Sequence, residues 1–96
     1  MNKYLDCLKD DPDWRVRKAV AEINDTYHEQ FKDDENALVR IVVAKYSNKY
    51  HHQFKDDDCW EIRREVARYS DTYHDQLKDD IEVGVRLAVA EYYKTK

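Results

Sequence analysis

A 23-residue unit repeats almost without interruption through this chain, and it limits the possible folds more than any other feature of the sequence. The copies begin at Leu8, Phe31, Phe54 and Leu77, and each opens with an apolar residue followed by Lys-Asp-Asp. A unit of this length cannot bury its own apolar face, so neighbouring copies must stack to form a continuous core. The spacing therefore predicts an α-solenoid of four 23-residue units in a single domain, residues 1–96.

Helix signals divide each copy into two parts. Only one Gly and one Pro interrupt the chain, which favours an all-α fold. Asp11 before Pro12 marks a helix start, because Asp caps free N–H groups and Pro fits the first helical position. We expect a long helix from about Pro12 to Ile23, and a stop and restart over residues 24–26. Each unit is therefore predicted to be a long helix followed by a short one.

Charge and hydropathy exclude several classes of protein. The net charge is −4 with both signs interleaved, so the basic surplus of a typical nucleic-acid binder is missing. No apolar stretch is long enough for a membrane span, and the N-terminal MNKYLDCLKDD has no hydrophobic signal region. We therefore expect a cytoplasmic protein with no membrane partner. Cys7 and Cys59 lie about two units apart, beyond the roughly 7 Å Cα separation that a disulfide allows, and are expected to be free thiols.

The long helix has a repeated side and a side that changes from copy to copy. At about 100° per residue, positions 16, 17, 20, 21 and 23 share one side, and all of them except 23 carry the same kind of residue in every copy. Positions 14, 15, 18 and 22 share the opposite side and differ between copies; we call these positions and their equivalents the variable face. Its predicted partner-binding residues are Trp14, Arg15, Lys18, Leu38, Ile41, Lys45, Trp60, Arg64, Arg68, Val83 and Leu87.

The string DPDWRVRKAVAEINDTYHEQ resembles the leucine-rich repeat variant family and, more broadly, HEAT-like repeats. Both carry an Asp-Pro start followed by Val-Arg and Val-Ala. In this chain the Pro occurs only in the first copy, whereas the Asp, the Val/Ile-Arg and the Val-Ala recur in phase in all four copies. The resemblance implies a right-handed superhelix whose short helices are often of the 3-10 type. It also implies a ladder between adjacent units, built from the pairs Asp11/Arg17, Asp34/Arg40, Asp57/Arg63 and Asp80/Arg86. HEAT-like families are mostly binding scaffolds.

A Tyr-His-x-Gln element recurs with its histidines at 28, 51 and 74, which raises the hypothesis of a metal site. Histidines one unit apart should be separated by a helix-packing distance of about 8 to 10 Å, whereas a shared ion needs each nitrogen within about 2.1 Å. We therefore predict no metal and assign these histidines to packing and hydrogen bonding. The chain also lacks a Gly-rich phosphate loop and a nucleophile elbow, so no cofactor, no catalytic residue and no enzymatic activity are predicted.

The sequence favours a non-enzymatic protein-binding module, either an adaptor or a stoichiometric inhibitor of the kind that a phage or mobile element encodes. Trp14 and Trp60 are either interaction hot spots or side chains folded over their own short helices. Two alternatives stay open. One is a HEAT-like nucleic-acid binder, which the net acidity disfavours, and the other is a structural homo-oligomer, including a homodimer.

Overall fold

The computed structural model describes residues 2–94, which form eight helices and no strand. Four long helices have ten residues each: α2 (Trp14–Ile23), α4 (Ala37–Tyr46), α6 (Trp60–Tyr69) and α8 (Val83–Tyr92). Four shorter α-helices alternate with them: α1 (Lys3–Leu8), α3 (His28–Phe31), α5 (His51–Phe54) and α7 (His74–Leu77). The predicted all-α class is confirmed. The predicted single domain also includes Met1, Thr95 and Lys96, which lie outside the described residues.

The first long helix begins two residues later than the sequence predicts, at Trp14 and not at Pro12. Its N-cap is Asp13, whose carboxylate accepts a hydrogen bond from the Arg15 N–H at 2.9 Å. Asp11 instead accepts the N–H of Asp13, also at 2.9 Å, and closes a turn ahead of the helix. The same turn recurs in the later copies at Asp34, Asp57 and Asp80. The repeated Asp therefore shapes the loop before the helix and does not cap it, so the predicted start was wrong.

The long helices pack side by side in chain order: α2 against α4, α4 against α6, and α6 against α8. The short helices α1, α3, α5 and α7 each contact the long helix that follows. The largest fully buried apolar side chains lie at repeated positions, namely Val20, Phe31, Val39, Val43, Phe54, Ile62, Val66, Leu77 and Val85. Phe31, Phe54 and Leu77 end the short helices, and the other six lie on the repeated side of the long helices. Burial of each such side chain contributes about 1.5 to 3 kcal/mol, so both kinds of helix supply the core.

A buried histidine ties each of the later short helices to the long helix before it. The Nε2 atoms of His28, His51 and His74 lie 2.8–2.9 Å from the carbonyl oxygens of Ala21, Ala44 and Ala67. Because a carbonyl oxygen only accepts, Nε2 carries the proton in each ring. The predicted packing and hydrogen-bonding role of these histidines is confirmed.

Candidate functional site

Arginines at one repeat position connect consecutive long helices and fix the surface they form. Nε and Nη2 of Arg17 donate to the two carboxylate oxygens of Asp34 at 2.8 and 3.1 Å, and Nη1 donates to the Asp11 carbonyl at 2.8 Å. The same geometry joins Arg40 to Asp57 and Arg63 to Asp80. The predicted ladder between adjacent copies is therefore present, with one copy's Arg bound to the next copy's Asp.

These ion pairs are largely shielded from solvent. The Arg63 and Asp80 side chains are 15% and 10% exposed. Hydrogen bonding from Arg63 lowers the pKa of Asp80 below its usual value of 3.8, against the opposing effect of burial. For Asp34, burial raises the pKa, but hydrogen bonds from Arg17 and the Asn36 N–H outweigh it, so this pKa is lowered as well. Both carboxylates are thus charged at neutral pH and hold the helices in register.

All the predicted partner-binding residues lie on the four long helices, and none is fully buried. They occupy equivalent positions on helices that pack side by side in chain order. The exposed members are Arg15, Leu38, Lys45, Arg68, Val83 and Leu87. The partly buried members are Trp14, Lys18, Ile41, Trp60 and Arg64. Their role in binding a partner remains a prediction.

Trp60 packs against the next long helix, whereas one expectation from the sequence was that it packs over its own short helix. Its indole lies against Gly84, where an added Cβ would meet Cη2 at 3.1 Å and Cε3 at 3.2 Å, with Cζ3 closer still. The guanidinium carbon of Arg64 lies 5.2 Å from the Trp60 ring centroid, within cation–π range. Trp14 also packs partly against the core. The two tryptophans are therefore anchored aromatic groups at the variable face.

Sequence analysis missed Glu65, which is 4% exposed beside the variable face. Its Oε1 accepts weak hydrogen bonds from Arg64 at 3.4 Å and Arg68 at 3.3 Å. Within residues 2–94, Glu65 Oε2 and Arg64 Nε have no hydrogen-bond partner. The sequence alone could have singled out Glu65, because the equivalent residues in the other copies are all apolar: Ala19, Val42 and Ala88. The buried carboxylate holds two arginines of the variable face close to each other.

The charge of the variable face differs from that of the whole chain. It carries five basic and three acidic side chains, although the net charge of the chain is −4. Arg15 pairs with Asp13 at 2.7 Å, and Lys18 pairs with Glu22 at 3.2 Å. Hydrogen bonding from Arg15 lowers the pKa of Asp13 to about 2. The variable face thus combines apolar side chains with an excess of basic over acidic ones.

The structure gives less support to a metal site, a reactive cysteine, a small-molecule pocket or a membrane span. Among residues 2–94, no group of three or more His, Cys, Asp or Glu side chains is placed to hold a metal ion. Cys7 and Cys59 are free thiols, and burial raises the pKa of Cys59, which keeps it in the less reactive thiol form. A recess of about 510 Å³ between the first two copies is lined mainly by polar and charged side chains, of which Arg17 pairs with Asp34 and Lys9 with Asp10. No helix in the described part of the chain has the length and apolar character needed to cross a membrane.

No family model matches this chain, and comparison with curated proteins and with solved structures found no match. The resemblance to the leucine-rich repeat variant and HEAT-like families therefore stays a prediction. Support for a function comes from the chain's own surface.

Proposed function

We propose that the chain is a right-handed α-solenoid of four leucine-rich-variant or HEAT-like units that binds another protein through its variable face and has no enzymatic activity. The observation that carries this proposal is the exposure of large apolar side chains on that face. Leu38 is 45% exposed, Val83 55% and Leu87 53%, although each belongs to a helix with a well-buried opposite side. Apolar side chains gathered on one surface and bordered by charged ones are typical of protein interfaces.

Rigid side chains at the centre of the face support the same proposal. The Trp60 indole lies against both Gly84 and Arg64, so this side chain would lose little conformational entropy on binding. Trp and Arg are also the residue types that most often dominate binding energy at protein interfaces. Because Glu65 draws Arg64 and Arg68 together, their guanidinium groups are already grouped for contact with carboxylates.

The proposed partner is a protein that offers an apolar patch bordered by acidic side chains. A small module that binds such a surface without changing it chemically would act as an adaptor or as a stoichiometric inhibitor. We further propose that the chain is encoded by a phage or mobile element and acts in the cytoplasm.

The face is tested by a Leu38→Asp/Leu87→Asp variant. Both side chains are substantially exposed, so the fold should survive, whereas Ile41 and Trp60 pack partly against the core and are less suitable. Ile81→Asp is the matched control, since Ile81 is 92% exposed and lies off the variable face. We expect a tagged chain to capture one stoichiometric protein from its source cells, and titration calorimetry with that protein to give binding at least about tenfold weaker for the double variant.

Two results would decide against the proposal. One is full binding by the Leu38→Asp/Leu87→Asp variant with an unchanged circular dichroism spectrum. The other is equal loss of binding by Ile81→Asp, which would locate the contact elsewhere.

Nucleic-acid binding is the second candidate, favoured by the basic members of the variable face: Lys18, Lys45, Arg64 and Arg68. Binding through phosphate contacts weakens steeply as salt rises. Fluorescence anisotropy with duplex and single-stranded DNA at low and physiological salt tests this function. Absence of binding, or binding that does not depend on salt, removes it.

A further inference from the structure

We propose that Glu65 is a positioning residue, which makes the fold less stable but presents Arg64 and Arg68 as one binding site for a single carboxylate of a partner protein. The group bound is the side chain of an Asp or Glu. This inference rests on the proposed function, because it names the chemical group of the partner that the variable face would bind.

The fold does not require a carboxylate at position 65. Val42 and Ala88 occupy the same repeat position in the neighbouring long helices and are 4% and 6% exposed. Glu65 is equally buried, yet its Oε1 accepts only two weak hydrogen bonds, and its Oε2 has no partner within residues 2–94. Removing a carboxylate from water costs free energy that only well-formed hydrogen bonds to both oxygens recover. Valine, as in the second copy, should therefore give a fold at least as stable.

Glu65 lies beneath two guanidinium groups of its own helix. Its side chain is 5% exposed, whereas those of Arg64 and Arg68 are 31% and 49% exposed. Glu65 Oε1 accepts from Nη2 of Arg64 and from Nη1 of Arg68. Like charges four residues apart on a helix repel each other, and the shared carboxylate oxygen offsets this repulsion. The buried acid thus keeps both arginines together while part of each guanidinium stays open to solvent.

The two arginines depend on Glu65 to different degrees. Arg64 also lies over the Trp60 ring, which itself lies against Gly84. Arg68 makes a hydrogen bond or ion pair only with Glu65 among the described residues. Without Glu65, the Arg68 side chain would regain rotamer freedom that binding must remove again. Glu65 should therefore strengthen binding mainly by ordering Arg68.

The surroundings of the arginine pair favour a carboxylate of a protein over the phosphates of a nucleic acid. Ile41 and Leu87 occupy the position of Arg64 in the neighbouring long helices, so basic side chains do not continue across this position. A nucleic acid needs positive charge along its whole backbone, and the net charge of −4 would repel it. One acidic side chain within an apolar patch needs only the guanidinium pair, which binds carboxylates through charge-assisted hydrogen bonds.

NMR of the arginine side chains tests the site in the whole chain at low ionic strength. The probes are the blocked peptide acetyl-Leu-Glu-Leu-amide and its counterpart with Gln in place of Glu. We expect the Glu peptide to shift the Nε–Hε signals of Arg64 and Arg68, which the variants Arg64→Lys and Arg68→Lys assign. The Gln peptide should leave both signals unchanged. A single-stranded dT oligonucleotide at physiological salt should leave them unchanged as well.

Glu65→Val separates positioning from charge. The substitution removes one negative charge, which by itself would strengthen the binding of an anionic peptide. If Glu65 orders the arginines, the dissociation constant of the Glu peptide should instead rise by about threefold or more. The urea midpoint of this variant should equal or exceed that of the unmodified chain. Asp25→Asn removes one negative charge from an exposed position in the turn after α2, and should bind the peptide no more weakly than the unmodified chain.

Four results would overturn the inference. They are unchanged arginine signals with the Glu peptide, equal or tighter peptide binding by Glu65→Val, a lower urea midpoint for Glu65→Val, and shifts of the same signals by the oligonucleotide. The proposed function fails by a different result, namely full partner binding by Leu38→Asp/Leu87→Asp. A captured partner that binds Glu65→Val as tightly as the unmodified chain contradicts this inference alone.

Discussion

The Trp60 indole in α6 lies against Gly84 in α8, so closely that any Cβ at position 84 would be within 3.2 Å of three indole carbons. Ordinary carbon contacts are near 3.5 to 4.0 Å. The only glycine of the sequence thus makes room for a tryptophan from the neighbouring long helix.

Gly84→Ala should destabilise the protein because the indole must leave this position. We expect the free energy of unfolding to fall by about 1 to 3 kcal/mol, as for other overpacked sites. In a Trp60→Ala background the same substitution should instead raise it by up to about 1 kcal/mol, through the better helix propensity of alanine. Urea unfolding of the four proteins measures both effects, and equal effects in both backgrounds would show that the contact has no energetic role. In a Trp14→Phe background, the emission of Trp60 should shift to longer wavelength with Gly84→Ala.

Arg63→Ala should be far more costly than Arg86→Ala. Arg63 holds the shielded carboxylate of Asp80, whereas the exposed Arg86 reaches only backbone carbonyls among the described residues. Loss of a shielded charged hydrogen bond costs about 2 kcal/mol or more, and loss of an exposed one below about 1 kcal/mol. Urea midpoints at neutral pH, measured at low protein concentration, test this difference. If both variants lose a similar free energy of unfolding, the Arg–Asp ladder stabilises the protein little more than local contacts do.

Stability should decline as the pH falls through the acidic range. The pKa values of Asp34 and Asp80 are lowered below the usual 3.8 in the folded protein, so their stabilising effect is complete above that value. It is lost as the pH falls through the lower, folded pKa values. Asp80→Asn should therefore be less stable than the unmodified chain at about pH 7, and this difference should shrink as the pH falls below 3.8. Asp71→Asn removes one carboxylate at an exposed position outside the ladder and serves as the control.

His51→Leu should destabilise the protein, whereas His52→Leu should not. The ring of His51 is 2% exposed and donates to the Ala44 carbonyl at 2.8 Å, while the adjacent His52 is exposed. Leaving a buried carbonyl without this donor costs about 1 to 3 kcal/mol. Thermal unfolding of the two variants checks the difference. A more stable His51→Leu variant would show that apolar packing outweighs the hydrogen bond.

Features that depend on spacing along the chain were predictable from the sequence. Helix start and stop signals predicted the alternation of long and short helices and the end of α2 at Ile23. The family resemblance implied a ladder between copies, although the side-chain link joins Arg17 to Asp34 of the next copy and not to Asp11. Each of these depends on local helix geometry or on identical contacts repeated in phase. The start of α2 was placed too early because Asp11 can either cap a helix or close a turn, and the sequence signal for the two is the same.

Features that depend on distances between helices could not be predicted. The position of Trp60 over Gly84 follows from how far α6 lies from α8, and no residue spacing encodes that distance. Glu65 was detectable only as a charged residue at an otherwise apolar position, and its burial depends on packing between helices. Both lie at or beside the variable face, where the copies differ and repetition gives no guidance.

The Arg–Asp ladder also bears on how the chain folds. Each link joins residues only 17 positions apart, and the main helix contacts join elements that are close neighbours in the chain. This is a low contact order, which goes with folding in microseconds to milliseconds. The second and third copies have a ladder link on each side, so their amides should be the slowest to exchange with solvent, and opening should begin at the two ends.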